Sequence, residues 1–120
     1  MAKRYVMVNE LKPECRDEYV HAHEKMHESE WKEQLDVLKK AGATECISYI
    51  FGNYSVLIYE CDDITESFQA LAKDPRREAW EKYMAPMFAG SPKFDGSDEV
   101  PYLKKIFDMN QQLEGKLEQF

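Results

Sequence analysis

No run of about 18 apolar residues occurs in this 120-residue chain, so no helical membrane span is expected. There is no N-terminal apolar stretch with a cleavage pattern either, and a cytoplasmic protein is the expectation. Cysteine is sparse. Cys15, Cys46 and Cys61 are odd in number, far apart and form no CxxC, which argues against a disulfide framework and fits reduced thiols. Glycine and proline number five each, and no glycine-rich phosphate loop or GxSxG elbow is formed from them. Positive charge is in deficit: 16 Lys and Arg against 23 Asp and Glu leave a net charge of −7. Such a surface repels phosphate backbones, so no nucleic-acid partner is expected. Internal repeats and low-complexity segments are missing as well. What remains is one domain, long enough for a single core.

Along the chain, Arg4–Leu11 is rich in β-branched, aromatic and apolar residues and reads as a strand. Pro13 and Glu14 suit the first turn of a helix that should run to about Lys40 and close at Gly42. Val20, Trp31, Leu35 and Leu38 are its expected apolar stripe, bordered by Tyr19, His23 and His27. Glu45–Phe51 and Tyr54–Cys61 are strand patterns joined at Gly52-Asn53, a two-residue hairpin signal. Asp63 and Glu66 form a capping-box pattern opening a helix over Thr65–Ala72. A further helix after Asp74-Pro75 carries Ala79, Trp80, Tyr83, Met84 and Met87. Phe88–Val100 reads as a loop, Tyr102–Met109 as a last strand, and the remainder as a polar tail. The order β-α-β-β-α-α-β predicts an α+β fold, a ferredoxin-like split βαβ antiparallel sheet with helices on one face. Residues 1–109 would form the domain and 110–120 the tail. The uncovered sheet face predicts either a pocket or a homodimer, a dimeric α+β barrel.

All three histidines lie between residues 21 and 27. At about 100° per residue, Tyr19, His23, His27 and Glu30 fall along one side of a helix. Two readings compete. His23-Glu24-x-x-His27 spells a zinc-peptidase pattern, in which the two imidazoles would bind metal and Glu24 would activate water. Against it, Lys25 places a positive charge between the ligands, no spacing marks a third ligand, and the chain is small for a peptidase cleft. The expectation is therefore no metal and no cofactor. The other reading is acid–base chemistry by Tyr19 and His23, a phenol beside the side chain whose ordinary pKa lies nearest neutrality. Its bland counterpart is a solvated helix face. Trp80 and Tyr83 are, by the same token, ordinary core residues at helical spacing. Cys46 and Cys61 sit in strands without a neighbouring cation and read as buried and inert.

The chain resembles the L-rhamnose mutarotases, from about Lys3 to Met109. The resemblance rests on the strand Arg4-Tyr-Val-Met-Val8, on Glu18-Tyr19 and His23, and on Trp31 and Gly42-Ala43. It continues through Ala79-Trp80-Glu81-Lys82-Tyr83-Met84 and Leu103-Lys-Lys-Ile-Phe107. It implies a small dimeric α+β isomerase that interconverts the anomers of a 6-deoxy-L-hexose without metal or cofactor. Tyr19 and His23 match the family's pocket tyrosine and histidine, and Trp80 matches a tryptophan that packs on the sugar. The chain departs from the family in three places. Four extra residues separate His23 from Trp31, so His23 keeps step with Tyr19 while His27 keeps step with Trp31. Cys46 stands where a pocket tyrosine is expected, and Glu81 replaces the second of a tryptophan pair. The implied catalytic residues are His23 and Tyr19, and the substrate-binding ones Trp80, His27, Cys46 and Glu81. L-Rhamnose and L-fucose are both candidate substrates. Two alternatives stand beside this reading: a cofactor-free monooxygenase or heme-degrading protein of the dimeric α+β barrel class, and a non-catalytic dimeric binding module.

Overall fold

The computed structural model describes residues 2–90 and 102–120. Strand β1 (Lys3–Glu10) pairs antiparallel with β3 (Tyr54–Cys61), which pairs antiparallel with β2 (Glu45–Phe51), giving the order β1-β3-β2. The hairpin between β2 and β3 turns at Gly52-Asn53 as the sequence predicts. Gly52 has φ +58° and Asn53 stays at negative φ, a turn of the II′ kind, whose twist matches the flanking strands.

Register decides what each face carries. Tyr5, Tyr59 and Cys46 form one cross-strand row, Met7, Leu57 and Ser48 the next, and Asn9, Ser55 and Ile50 the third. This face lies under the helices. The alternate residues form the opposite face, where Val6, Ile58 and Ile47 are followed by Val8, Val56 and Tyr49. Buried Tyr5, Met7, Tyr59 and Cys61 pack with Val37, Ile64, Phe68 and Leu71 into one apolar cluster. Leu11, Tyr19, Met26, Trp80, Met84 and Met87 form a second one nearby.

The long first helix of the sequence reading is broken. After a 3-10 turn at Pro13–Cys15, α1 covers Arg16–Glu24, a second 3-10 turn covers Met26–Glu28, and α2 covers Glu33–Lys40. Lys25 leaves helical geometry at φ −111°, and Ser29 is extended. The Ser29 hydroxyl donates to the Met26 carbonyl at 3.2 Å and accepts the Trp31 N–H at 3.0 Å. That local bonding competes with the helix ladder, as serine does outside helix interiors. The break rotates the second half of the segment, so Gln34 and Val37 are buried in α2 while Leu35 is exposed, contrary to the expected stripe. The end of α2 is as expected: Gly42, at φ +97°, donates to Lys39 and Ala43 donates to Leu38, a Schellman closure.

Asp63 accepts the Glu66 N–H and opens α3 (Ile64–Lys73). Asp74 accepts the Arg76 N–H and, with Pro75 in the first turn, opens α4 (Pro75–Met84), which ends in a 3-10 turn at Ala85–Met87. The chain then returns to β1: Lys12 donates to Met87, Ala89 donates to Glu10, and Leu11 bridges Phe88.

The expected last strand is not formed. Leu103 donates to the Val6 carbonyl at 2.7 Å beside the outer edge of β1, and the ladder stops there. Gln119 takes the neighbouring backbone groups instead: its Oε1 accepts from Lys105 N–H and its Nε2 donates to the Leu103 carbonyl. Asp108 then caps a short helix, α5 (Met109–Leu113). Strand propensity yields to local side-chain bonds where only one neighbouring strand is offered. The tail is anchored, with the Phe120 ring packed on Tyr5 and Tyr102. Of the expected loop Phe88–Val100, residues 91–100 lie outside the described residues.

Candidate active site

Tyr19, His23, His27, Cys46, Trp80 and Glu81 all line one cleft of about 400 Å³ between the helices and the covered face of the sheet. Helix α1 positions the first two. Cys15, Tyr19, Ala22 and Met26 lie on the side of the segment that packs into the second apolar cluster. This places Tyr19 against the sheet, where its hydroxyl and the Ser55 Oγ share a hydrogen bond of 2.9 Å.

The Tyr19 carbonyl meets Nδ1 of His23 at 2.7 Å. A carbonyl only accepts, so Nδ1 carries the proton, and the neutral imidazole keeps Nε2 as a lone-pair acceptor. The ring is held on two sides, 4.3 Å from the Tyr19 ring and edge-on to Trp80 at 5.2 Å. Burial pushes the His23 pKa below its ordinary value. The bond to Tyr19 opposes that shift and the Arg77 guanidinium adds to it. Burial pushes the Tyr19 phenol upward, partly offset by Ser55. At neutral pH the site therefore holds an uncharged base and a protonated phenol.

Trp80 is buried at the cleft wall and braced by Trp31 at 5.4 Å, which stacks on Tyr83 at 5.2 Å and 7°. The Arg77 guanidinium lies 5.9 Å from the Trp80 ring centre. Glu81 accepts from Arg77 Nε at 2.8 Å, and Gln34 accepts from Arg77 Nη1 at 3.1 Å. So Glu81 brings a counter-charge for Arg77 to the site, not an aromatic surface. Cys46, expected to be buried, lies exposed on edge strand β2; partial enclosure by the cleft raises its thiol pKa. It presents a neutral thiol. Cys61 is buried, as expected.

His27 lies beyond the end of α1, exposed and 3.6 Å from Glu28. The break at Lys25 removes the continuous helix that the HExxH pattern requires, and His23 and His27 are no longer successive turns of one face. Among the described residues no three His, Cys, Asp or Glu side chains are grouped to hold a metal ion.

Asn9, Ser48, Arg77 and Phe88 are among the cleft residues that the sequence does not mark as site candidates. Asn9 had a visible signal, a polar side chain at an inward position in a strand that otherwise places Tyr5, Met7 and Leu11 there. Arg77 lies one helical turn before Glu81, a spacing that pairs opposite charges.

No helix among the described residues is long and apolar enough to cross a membrane. The fold is similar to the crystal structure of an L-rhamnose mutarotase from Formosa agariphila, with a TM-score of 0.63 over 89% of this chain and 98% of that one. At 21% identity that likeness shows the fold. A search of curated proteins gave no match. The sequence itself matches the L-rhamnose mutarotase family over residues 4–109, nearly the whole chain, and the protein therefore belongs to that family of isomerases.

Proposed function

We propose that this protein interconverts the α and β anomers of a 6-deoxy-L-hexose, L-rhamnose or L-fucose, by general acid–base catalysis. The observation that carries the proposal is His23, an imidazole held in one tautomer by a backbone carbonyl, with the proton-accepting Nε2 left for a substrate. In the proposed reaction, Nε2 takes the proton of the anomeric hydroxyl. The bond from C1 to the ring oxygen breaks as the C1 carbonyl forms, and the imidazolium returns the proton to the ring oxygen. The aldehyde rotates about C1–C2, and the reverse steps close the ring on its other face. No proton is gained or lost in the cycle. A lowered pKa suits a base that must give its proton back. Tyr19 orients the reacting hydroxyl, and Trp80 offers an apolar surface to the sugar's face and methyl group.

Cys46 and Glu81 supply a thiol and a carboxylate where the family's resemblance leads one to expect aromatic side chains. That change in the cleft wall favours testing L-fucose on equal terms with L-rhamnose. The test is saturation-transfer NMR between α and β anomers over a panel of L-sugars. Accelerated exchange for at least one 6-deoxy-L-hexose, removed by His23→Ala, is the expected result. Binding without exchange would instead indicate a non-catalytic binding module.

We infer further that the working unit is a cytoplasmic homodimer. Three unpaired cysteines support a reducing compartment. The uncovered sheet face exposes Ile47, Tyr49 and Phe51, and the segment that stops short of a fourth strand exposes Leu103, Ile106 and Phe107. Both features support burial against a second copy.

A further inference from the structure

Asn9 is the one side chain among the described residues with a buried polar atom that makes no hydrogen bond, its Oδ1. The residue is 6% exposed and lines the cleft together with Tyr19, His23 and Trp80. Its position is set by register: Asn9 lies directly across from Ser55, which in turn bonds the Tyr19 hydroxyl. On β1 the inward positions are Tyr5, Met7, Asn9 and, just beyond, Leu11, so packing alone would favour a third aliphatic or aromatic residue there. A buried amide costs stability unless its donors and acceptor are matched, and the protein supplies no match for this acceptor. A carboxamide offers a donor and an acceptor side by side, the pattern that complements adjacent hydroxyls on a sugar ring.

We propose that Asn9 is a substrate-binding residue whose carboxamide holds a non-anomeric hydroxyl pair of the sugar, and so sets which sugar fits. This inference rests on the mutarotase reading above. The Asn9 amide neither takes nor gives the catalytic proton. It fixes the ring so that C1 meets His23.

The experiment compares wild type with Asn9→Leu, a variant of nearly the same volume and no hydrogen bonds, by anomer-exchange NMR and thermal denaturation. Asn9→Leu should raise KM about 10- to 100-fold with little change in kcat. The acid limb of the pH profile should stay in place because His23 is untouched. The melting temperature should hold or rise, since an unmatched buried amide is gone. A residue that serves only the fold would do the opposite, lowering stability and leaving KM alone, and that result overturns the proposal. Should Asn9→Leu fail to fold, wild type is assayed on monodeoxy analogues of its sugar. Loss of one particular non-anomeric hydroxyl should then cost a similar factor, and equal turnover of every analogue overturns the proposal. If wild type accelerates exchange of no sugar, the mutarotase reading itself fails, an outcome distinct from an active wild type indifferent to Asn9.

Discussion

The two faces of this sheet, one residue apart along every strand, are both largely apolar, and only one of them is covered by helices. In an antiparallel sheet with helices on one side, the covered face is ordinarily apolar and the other polar. Here the covered face carries Asn9, Ser48, Ser55 and Cys46 among its aromatics, while the uncovered one presents Val6, Val8, Ile47, Tyr49, Val56 and Ile58. Of the former, Asn9 and Ser55 are buried, while Ser48 and Cys46 lie at the exposed edge on β2. Apolar groups left outside point to a surface that another chain covers. The uncovered face turns charged at both ends, at the Arg4–Glu60 pair, 3.4 Å apart, and at exposed Glu10.

The comparison can be broken most sharply on the covered side. His23→Ala should slow anomer exchange by on the order of 10²-fold or more while circular dichroism stays unchanged. His21→Ala, on an exposed position of the same helix, should be silent. If His27→Ala is inactive and His23→Ala active, the base is the other histidine. On the uncovered side, Ile58→Lys places a charge in the central strand. It should weaken dimerisation by about 30-fold or more, a hot-spot-sized effect, read by sedimentation across a concentration series. A wild-type species of monomer mass at micromolar concentration would remove the dimer reading.

Tyr19→Phe should cost less than His23→Ala, because the ring and the carbonyl remain and only the hydroxyl bonded to Ser55 is lost. The pH profile tests the electrostatics. His23 must be neutral to accept a proton, and its pKa is lowered by burial first. Exchange should therefore be full at pH 7 and fall only at pH values below the ordinary histidine range, about 6.5. The same shift makes stability pH-dependent. Between about 6.5 and the folded-state pKa the unfolded chain binds a proton that the folded one refuses, so stability declines as pH drops through that window and levels off below it. The smallest expected effect is that of Arg77→Met. Removing a nearby cation should move the acid limb upward.

Local chemistry was legible wherever one or two residues dictate a backbone geometry. Gly52-Asn53 placed the hairpin, Asp63 and Asp74-Pro75 opened their helices, and Gly42 closed α2. The helix break was not legible, because the period through Tyr19, His23 and His27 continues past Lys25 while Ser29 ends it by bonds to Met26 and Trp31. The fourth strand was misread for a related reason. Alternation in Tyr102–Met109 is real, but Gln119, 14 residues on from Lys105, supplies its hydrogen bonds. For the cleft, clustering of histidine with tyrosine along one turn was readable. Asn9 and Arg77 were missed because their significance comes from pairing across strands and from position relative to a cavity, which one-dimensional spacing does not contain.

The bond between the Tyr19 carbonyl and His23 separates what position 19 does by its backbone from what it does by its side chain. A carbonyl belongs to the backbone and is present whichever amino acid occupies position 19. Substitution there can trade a phenol for a phenyl or an aliphatic group without erasing the element that selects the imidazole tautomer. Side-chain scanning at position 19 will accordingly under-report what that residue contributes.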